Sequence, residues 1–167
     1  MGEAGTPVTD VMVHFIAEQQ SDTGAWTGLG SRPPLEESSI TRTMLAIGAL
    51  KTYGWPARRA EFDERIGRAR AWLLTAKTWT TVDEADRLMG LWLAGAPASH
   101  LKKAAQGLMA RQRKDGGWAQ TSYLESDAFG TAAALYSLRK SGFLKAGDPA
   151  YQRGARYLLD TQFPDGA

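Results

Sequence analysis

Carboxylates crowd together at one place in this 167-residue chain, in the run Asp83-Glu84-Ala85-Asp86. Such a cluster can hold a divalent cation, or keep one acid protonated beside ionised neighbours. A simpler reading is favoured: acids in the first turn of a helix are stabilised by the positive end of its dipole. His14 and His100 stand far apart without His-x-x-x-His spacing, and each reads as a surface or helix-end residue. The absence of cysteine removes disulfides and thiolate metal ligands. Neither a Gly-x-Ser-x-Gly nor a P-loop pattern occurs, so no metal or cofactor is expected. Phe129, Trp92 and Tyr136 fall on runs that read as helices, with Tyr123 just before one. Facing a cavity they would bind a hydrophobic molecule or steady a cation. Filling space between helices is the commoner role.

The elements that would position these groups are announced by a recurring motif, Gln-x-x-x-Gly-x-Trp. It occurs at Gln20, Gly24 and Trp26, again at Gln112, Gly116 and Trp118, and in part at Gln162 and Gly166. A repeat of this size implies an array of similar supersecondary units. Stopping inside a motif implies a piece of a longer protein, with Met1-Gly2-Glu3-Ala4-Gly5-Thr6-Pro7 as a start placed on an excised segment and residues 1–7 flexible. The glutamine can cap carbonyls at a helix end, the glycine lets the chain reverse, and the indole N–H can reach the backbone. These eight residues are read as structural staples.

Helical periodicity dominates and no stretch alternates like a strand. It predicts helices over 8–18, 36–52, 56–76, 82–94, 98–111, 126–140 and 149–161, with a loop rich in glycine and proline over 21–35. The stretches 36–52, 82–94 and 126–140 are apolar nearly all round, whereas the helices between them are one-sided. Arg58, Arg59, Arg65, Arg68 and Arg70 alternate with Glu61, Asp63 and Glu64, which reads as a solvated, salt-bridged face rather than a polyanion site. Pro56, Pro97 and Pro149 stand at helix starts, and Gly54, Gly95 and Gly142 close the apolar helices as left-handed residues. Apolar helices lining the inside and one-sided helices covering them would form two concentric layers. The expectation is an all-α fold, an α/α toroid of about seven helices and an incomplete barrel, in a single domain spanning 1–167. A flat α-solenoid is the alternative.

The helix ends Phe15–Gln20, Trp72–Lys77, Gly107–Gln112 and Tyr157–Gln162 share a frame, with Lys77 replacing the glutamine in the second. Glu37–Thr43 lies beside Glu125–Thr131 in the same way. A Gln-x-x-x-Gly-x-Trp at a helix end, followed by a loop and a Ser/Asp-rich start of the next apolar helix, resembles the QW repeat. That repeat marks squalene–hopene and oxidosqualene cyclases and, more loosely, protein prenyltransferase β subunits. The segment from Gln112 to Gly142 is most similar, and a weaker likeness extends over nearly the whole chain. The resemblance implies the toroid, and it implies that class II chemistry would begin at an Asp-x-Asp-Asp-Thr-Ala acid. Here the matching segment is Asp127-Ala128-Phe129-Gly130-Thr131-Ala132. Asp127 and Thr-Ala survive, while Phe129 and Gly130 replace the second and third aspartates. A cation on Asp83, Glu84 and Asp86 would suit diphosphate ionisation, but no partner motif follows. The chain alone is therefore expected to be non-catalytic, a lobe of a cyclase-like protein. A non-catalytic toroid binding an isoprenoid, another hydrophobic molecule or a protein, completed by self-association, is the alternative.

Composition narrows the partners. The chain is 43% hydrophobic and 23% charged, ordinary for a globular protein. A formal charge of +2 gives no case for nucleic acid, and no apolar run reaches the ~20 residues of a membrane span. The compartment is left open.

Overall fold

The computed structural model describes residues 6–28 and 38–166. Among these the fold is all-α, with no strand. The helices are α1 (Pro7–Glu18), α2 (Ser39–Tyr53), α3 (Arg59–Thr75), α4 (Thr81–Leu93), α5 (Ala98–Ala110), α6 (Ala128–Lys140) and α7 (Pro149–Thr161), and a short 3-10 turn, Pro56–Arg58, precedes α3. The expected start of α2 at Glu36, the loop through Pro33-Pro34 and the stretch Met1–Gly5 lie outside the described residues. Thr6 caps α1 and Pro7 begins it. The Thr6 hydroxyl accepts from the Thr9 amide at 3.2 Å, the Thr9 hydroxyl accepts from the Thr6 amide at 3.3 Å, and Pro7 takes the first turn, where no N–H is needed.

Local capping explains most helix starts. Ser38 accepts from the Thr41 amide at 3.2 Å to open α2, and Asp127 accepts from the Gly130 amide at 2.9 Å to open α6. Thr80 and Asp83 cap α4 reciprocally, at 2.9 and 3.3 Å. Gly95 and Gly142 close their helices at φ +65° and +83°. Gly54 departs from expectation, since its φ is −61°; glycine is needed there for space, because a Cβ would stand 2.3 Å from the Leu50 carbonyl oxygen.

The chain divides into two compact units, one of Met1–Ala76 with Gly90–Ala96, the other of Lys77–Met89 with Pro97–Ala167. In the first, Ala17, Trp26, Ile47, Leu50, Phe62, Ile66, Leu73 and Leu91 are buried. The polar face of α3 is an ion-pair network: Glu61 pairs with Arg58 at 2.6 Å and Arg65 at 3.1 Å, and Arg68 pairs with Glu64 at 2.6 Å. In the second unit, Ala85, Leu88, Ala105, Leu108, Trp118, Ala134, Leu135, Leu138 and Leu144 form one cluster. Burial of such side chains, at about 1.5–3 kcal/mol for each large one, is the main stabilising force in both units.

Burial pushes the Glu61 carboxyl up, but Arg58 and Arg65 outweigh it and hold its pKa below the usual 4.5. The folded state thus binds this proton less well than the unfolded chain, so the contribution is present above pH 4.5 and is lost as pH falls through the lowered value. Glu61→Gln is expected to flatten the acid limb of a stability–pH curve below pH 4.5. Parallel limbs in variant and parent would contradict this.

Candidate functional site

Chain reversal after α1 and after α5 is solved by the same set of bonds. At the first turn the Gln20 Nε2 donates to the Gly24 carbonyl at 2.9 Å and to the Arg65 carbonyl on α3 at 2.8 Å. At the second, Gln112 Nε2 donates to the Gly116 carbonyl at 2.9 Å and to the Ala150 carbonyl on α7 at 2.8 Å. Each amide oxygen is filled from the same helix, Arg68 donating to Gln20 at 2.8 Å and Arg153 to Gln112 at 2.6 Å. One glutamine therefore ties a turn to the next-but-one helix with all the polarity of its amide used.

The glycine and the tryptophan complete the clamp. Gly24 and Gly116 both have φ +91°, and a Cβ would stand 2.6 Å from the Arg68 carbonyl oxygen in one and 2.7 Å from that of Arg153 in the other. The indole N–H of Trp26 donates back to the Ile16 carbonyl at 2.6 Å, and that of Trp118 to the Leu108 carbonyl at 2.8 Å. Their backbone amides donate to Thr43 on α2 at 3.0 Å and Thr131 on α6 at 2.9 Å. Both indoles are buried, Trp118 completely. The partial third motif has the local half of the arrangement: Gln162 Nε2 donates to the Gly166 carbonyl at 2.9 Å, with Gly166 at φ +89°.

Thr131→Val, which keeps the shape and removes the hydroxyl, would leave the buried Trp118 amide unpaired. A loss of about 1–3 kcal/mol is expected in denaturant unfolding. An unchanged midpoint would show that this bond adds nothing.

The acids are spent on local structure. Asp83 is buried, and its Oδ2 accepts from the amides of Trp79 at 3.0 Å and Thr80 at 3.3 Å. Glu84 pairs with Arg111 at 2.8 Å, and Asp86 also has a partner. Asp127 uses both oxygens, Oδ1 for the Gly130 amide and the Gln120 side chain, Oδ2 for the Gln120 amide at 3.1 Å. Carboxylates so engaged act as caps. Among the described residues no three acids or histidines gather as a metal site would require. His14 bonds Arg58, and His100 lies exposed in the first turn of α5.

The four aromatics are scattered in setting. Trp92 is 39% and Tyr136 59% exposed on their helices, Tyr123 is 84% exposed on a loop, and Phe129 is half-buried in the first turn of α6. Lys140 stands 5.9 Å from the centre of the Tyr136 ring, so that π face already has a cation. A different set walls an apolar recess. Phe15, Ile16, Trp26, Leu45, Ala46 and Ala49 line a groove of about 440 Å³ in the first unit, with Arg42, Gln19 and Thr27 at its polar margin. The second unit has a polar recess of about 200 Å³ lined by Thr81, Arg111, Arg113, Ala119, Thr121 and Ser122. Glu84 Oε2 and Thr121 Oγ1 are buried with no hydrogen-bond partner among the described residues. That chemistry suits water or a small polar molecule rather than a hydrocarbon.

The partners of the clamp were not visible as such in the sequence. Arg65 and Arg68 read as surface charge, although Arg68 and Arg153 both lie nine positions before the shared helix-end frame position, at Lys77 and Gln162. Neither a family model nor a curated protein matches the chain. No described helix is long and apolar enough to cross a membrane.

Proposed function

We propose that this chain is a QW-type repeat domain of a squalene–hopene-cyclase-like protein, a helical scaffold lobe that does no chemistry by itself. The observation that carries this reading is the recurrence of one clamp, bond for bond, at Gln20–Trp26 and Gln112–Trp118. On this reading α2, α4 and α6 form the inner layer of an α/α toroid and α1, α3, α5 and α7 the outer one. The open faces at Leu45, Trp92 and Tyr136 are what a cavity-lining layer would leave uncovered in a partial ring. Protonating an alkene needs a carboxylic acid free to give its proton. Asp127 holds a helix start with both oxygens, and its neighbours Phe129 and Gly130 supply no second acid.

Two experiments bear on this. Purified chain incubated with squalene, oxidosqualene or prenyl diphosphates is expected to yield no cyclised or transferred product by mass spectrometry; product would overturn the scaffold reading. Sequencing the coding region on either side is expected to reveal further Gln-x-x-x-Gly-x-Trp repeats, with an Asp-x-Asp-Asp-Thr-Ala motif if the whole is a cyclase. Flanks without such repeats would contradict the family reading.

The apolar groove favours a second role, binding of a hydrophobic molecule. Its volume of about 440 Å³ lies within the range of small-molecule sites. Squalene or a prenyl alcohol is expected to perturb tryptophan fluorescence through Trp26, and Leu45→Asp to abolish the effect. A response unchanged by Leu45→Asp would place binding elsewhere.

A further inference from the structure

The second copy of the clamp carries two arginines that the clamp does not use. With Gln20, Gln112 and Gln162 aligned, the positions of Arg111 and Arg113 are held by Gln19 and Ser21 in the first copy and by Thr161 and Phe163 in the third. The turn forms equally well without a guanidinium at either place, since Gln20 and Gln112 reach matching carbonyls at the same 2.9 and 2.8 Å. Chain reversal therefore does not account for Arg111 and Arg113.

Both instead wall the polar recess of the second unit, about 200 Å³ in volume, with Thr81, Thr121 and Ser122 beside them. That space holds more than one bridging water, yet it falls below the ~300–1,000 Å³ of sites for drug-sized ligands. An occupant of a few heavy atoms fits it.

The donors on its wall are largely unspent. Arg111 Nη2 pairs with Glu84 at 2.8 Å, so that charge is matched. Arg113 pairs with no carboxylate among the described residues. Its Nη2 reaches only the carbonyls of Thr121 at 3.5 Å and Ser122 at 3.3 Å, both long for hydrogen bonds. A guanidinium has five N–H donors in a rigid fork. Among the described residues the bonds of both arginines run through Nη2, which leaves the Nε and Nη1 edge of each without a protein acceptor. Thr121 Oγ1 has no partner either, so nothing holds that hydroxyl in its present orientation. An unmatched positive charge, open planar donors and hydroxyls on one small concave surface are the set that recognises a phosphate or carboxylate.

We propose that this recess binds a small oxyanion, a phosphate or carboxylate group, on the open edge of Arg113. The Thr121 hydroxyl turns to donate to the anion and gains the partner it lacks. Arg111, anchored by Glu84, adds its remaining N–H groups from the margin. The site lies within the second unit, and it stands apart from both the family reading and the apolar groove of the first unit.

Titration of the isotope-labelled chain with sodium phosphate and with sodium malonate, at ionic strength held constant with sodium chloride and followed by NMR, tests it. Saturating shifts are expected at the backbone amides of Arg113, Thr121 and Ser122. Those of Lys102 and Lys103, exposed cations of the same unit, should barely move. Arg113→Ser restores the residue of the first copy, and Thr121→Val removes the hydroxyl while keeping its shape. Neither breaks a bond of the clamp, so thermal melts should match the parent, and each variant is expected to raise the dissociation constant about tenfold or more. The order of affinity for phosphate and malonate tells which of the two groups the recess prefers. No saturable shift with either anion, shifts as large at Lys102 and Lys103 as in the recess, or a dissociation constant unchanged in either variant would each overturn the proposal.

Discussion

Trp118→Ala is expected to lower the free energy of unfolding by about 3–5 kcal/mol, the usual range for removing a fully buried large aromatic. The indole is wholly buried in the main cluster of its unit, against Leu135 and the small Gly154 of α7. Gly154 is small because the ring lies there: a Cβ would stand 3.0 Å from an indole carbon. Truncation thus opens a void in the cluster beside Gly154 of α7. It also strips the Leu108 carbonyl of the indole donor at 2.8 Å. Denaturant titration followed by circular dichroism measures the loss. A change below about 1 kcal/mol would mean that the ring is not the keystone described, since even one lost buried hydrogen bond costs that much.

Gly116→Ala is expected to cost about 3 kcal/mol, against about 1 kcal/mol for Gly142→Ala. Both glycines have positive φ, +91° and +83°, so both variants bear the same backbone penalty. Only Gly116 also faces a wall, with the Arg153 carbonyl oxygen 2.7 Å from a prospective Cβ, whereas Gly142 has open space. Relief at Gly116 requires α7 to move away, which stretches the bonds of Gln112 to the Ala150 carbonyl and of Arg153 to Gln112. Equal costs at the two sites, measured by the same titration, would show that the turn is not clamped to α7.

The all-α fold and its helices were legible because apolar spacing at 3.6 residues, helix-start prolines and closing glycines all point the same way. The staple residues were legible because they recur. Their partners were not, since carbonyls such as those of Arg65 and Ala150 carry no mark in the side-chain sequence. Arginines that complete an amide's bonding look the same as arginines on a solvated face, and Arg68 does both, pairing with Glu64 and donating to Gln20. Gly54 misled because a glycine needed for close approach and one needed for positive φ are the same letter. For the aromatics, helix periodicity places Trp92 and Tyr136 on a face but does not say what covers it. The groove instead draws on Phe15 and Leu45, on helices whose approach depends on tertiary packing.

The tryptophans offer the most direct test of the clamp, through hydrogen exchange of the six indole N–H groups followed by NMR. The Trp26 and Trp118 indoles, buried and bonded to helix-end carbonyls, should exchange only through opening of the units that hold them. The indoles of Trp55 and Trp79, 54% and 76% exposed, serve as internal references and should exchange at once. Two slow indoles belonging to the two Gln-x-x-x-Gly-x-Trp motifs are the predicted result. Rapid exchange at Trp26 or Trp118 would contradict the clamp and the repeat architecture built on it.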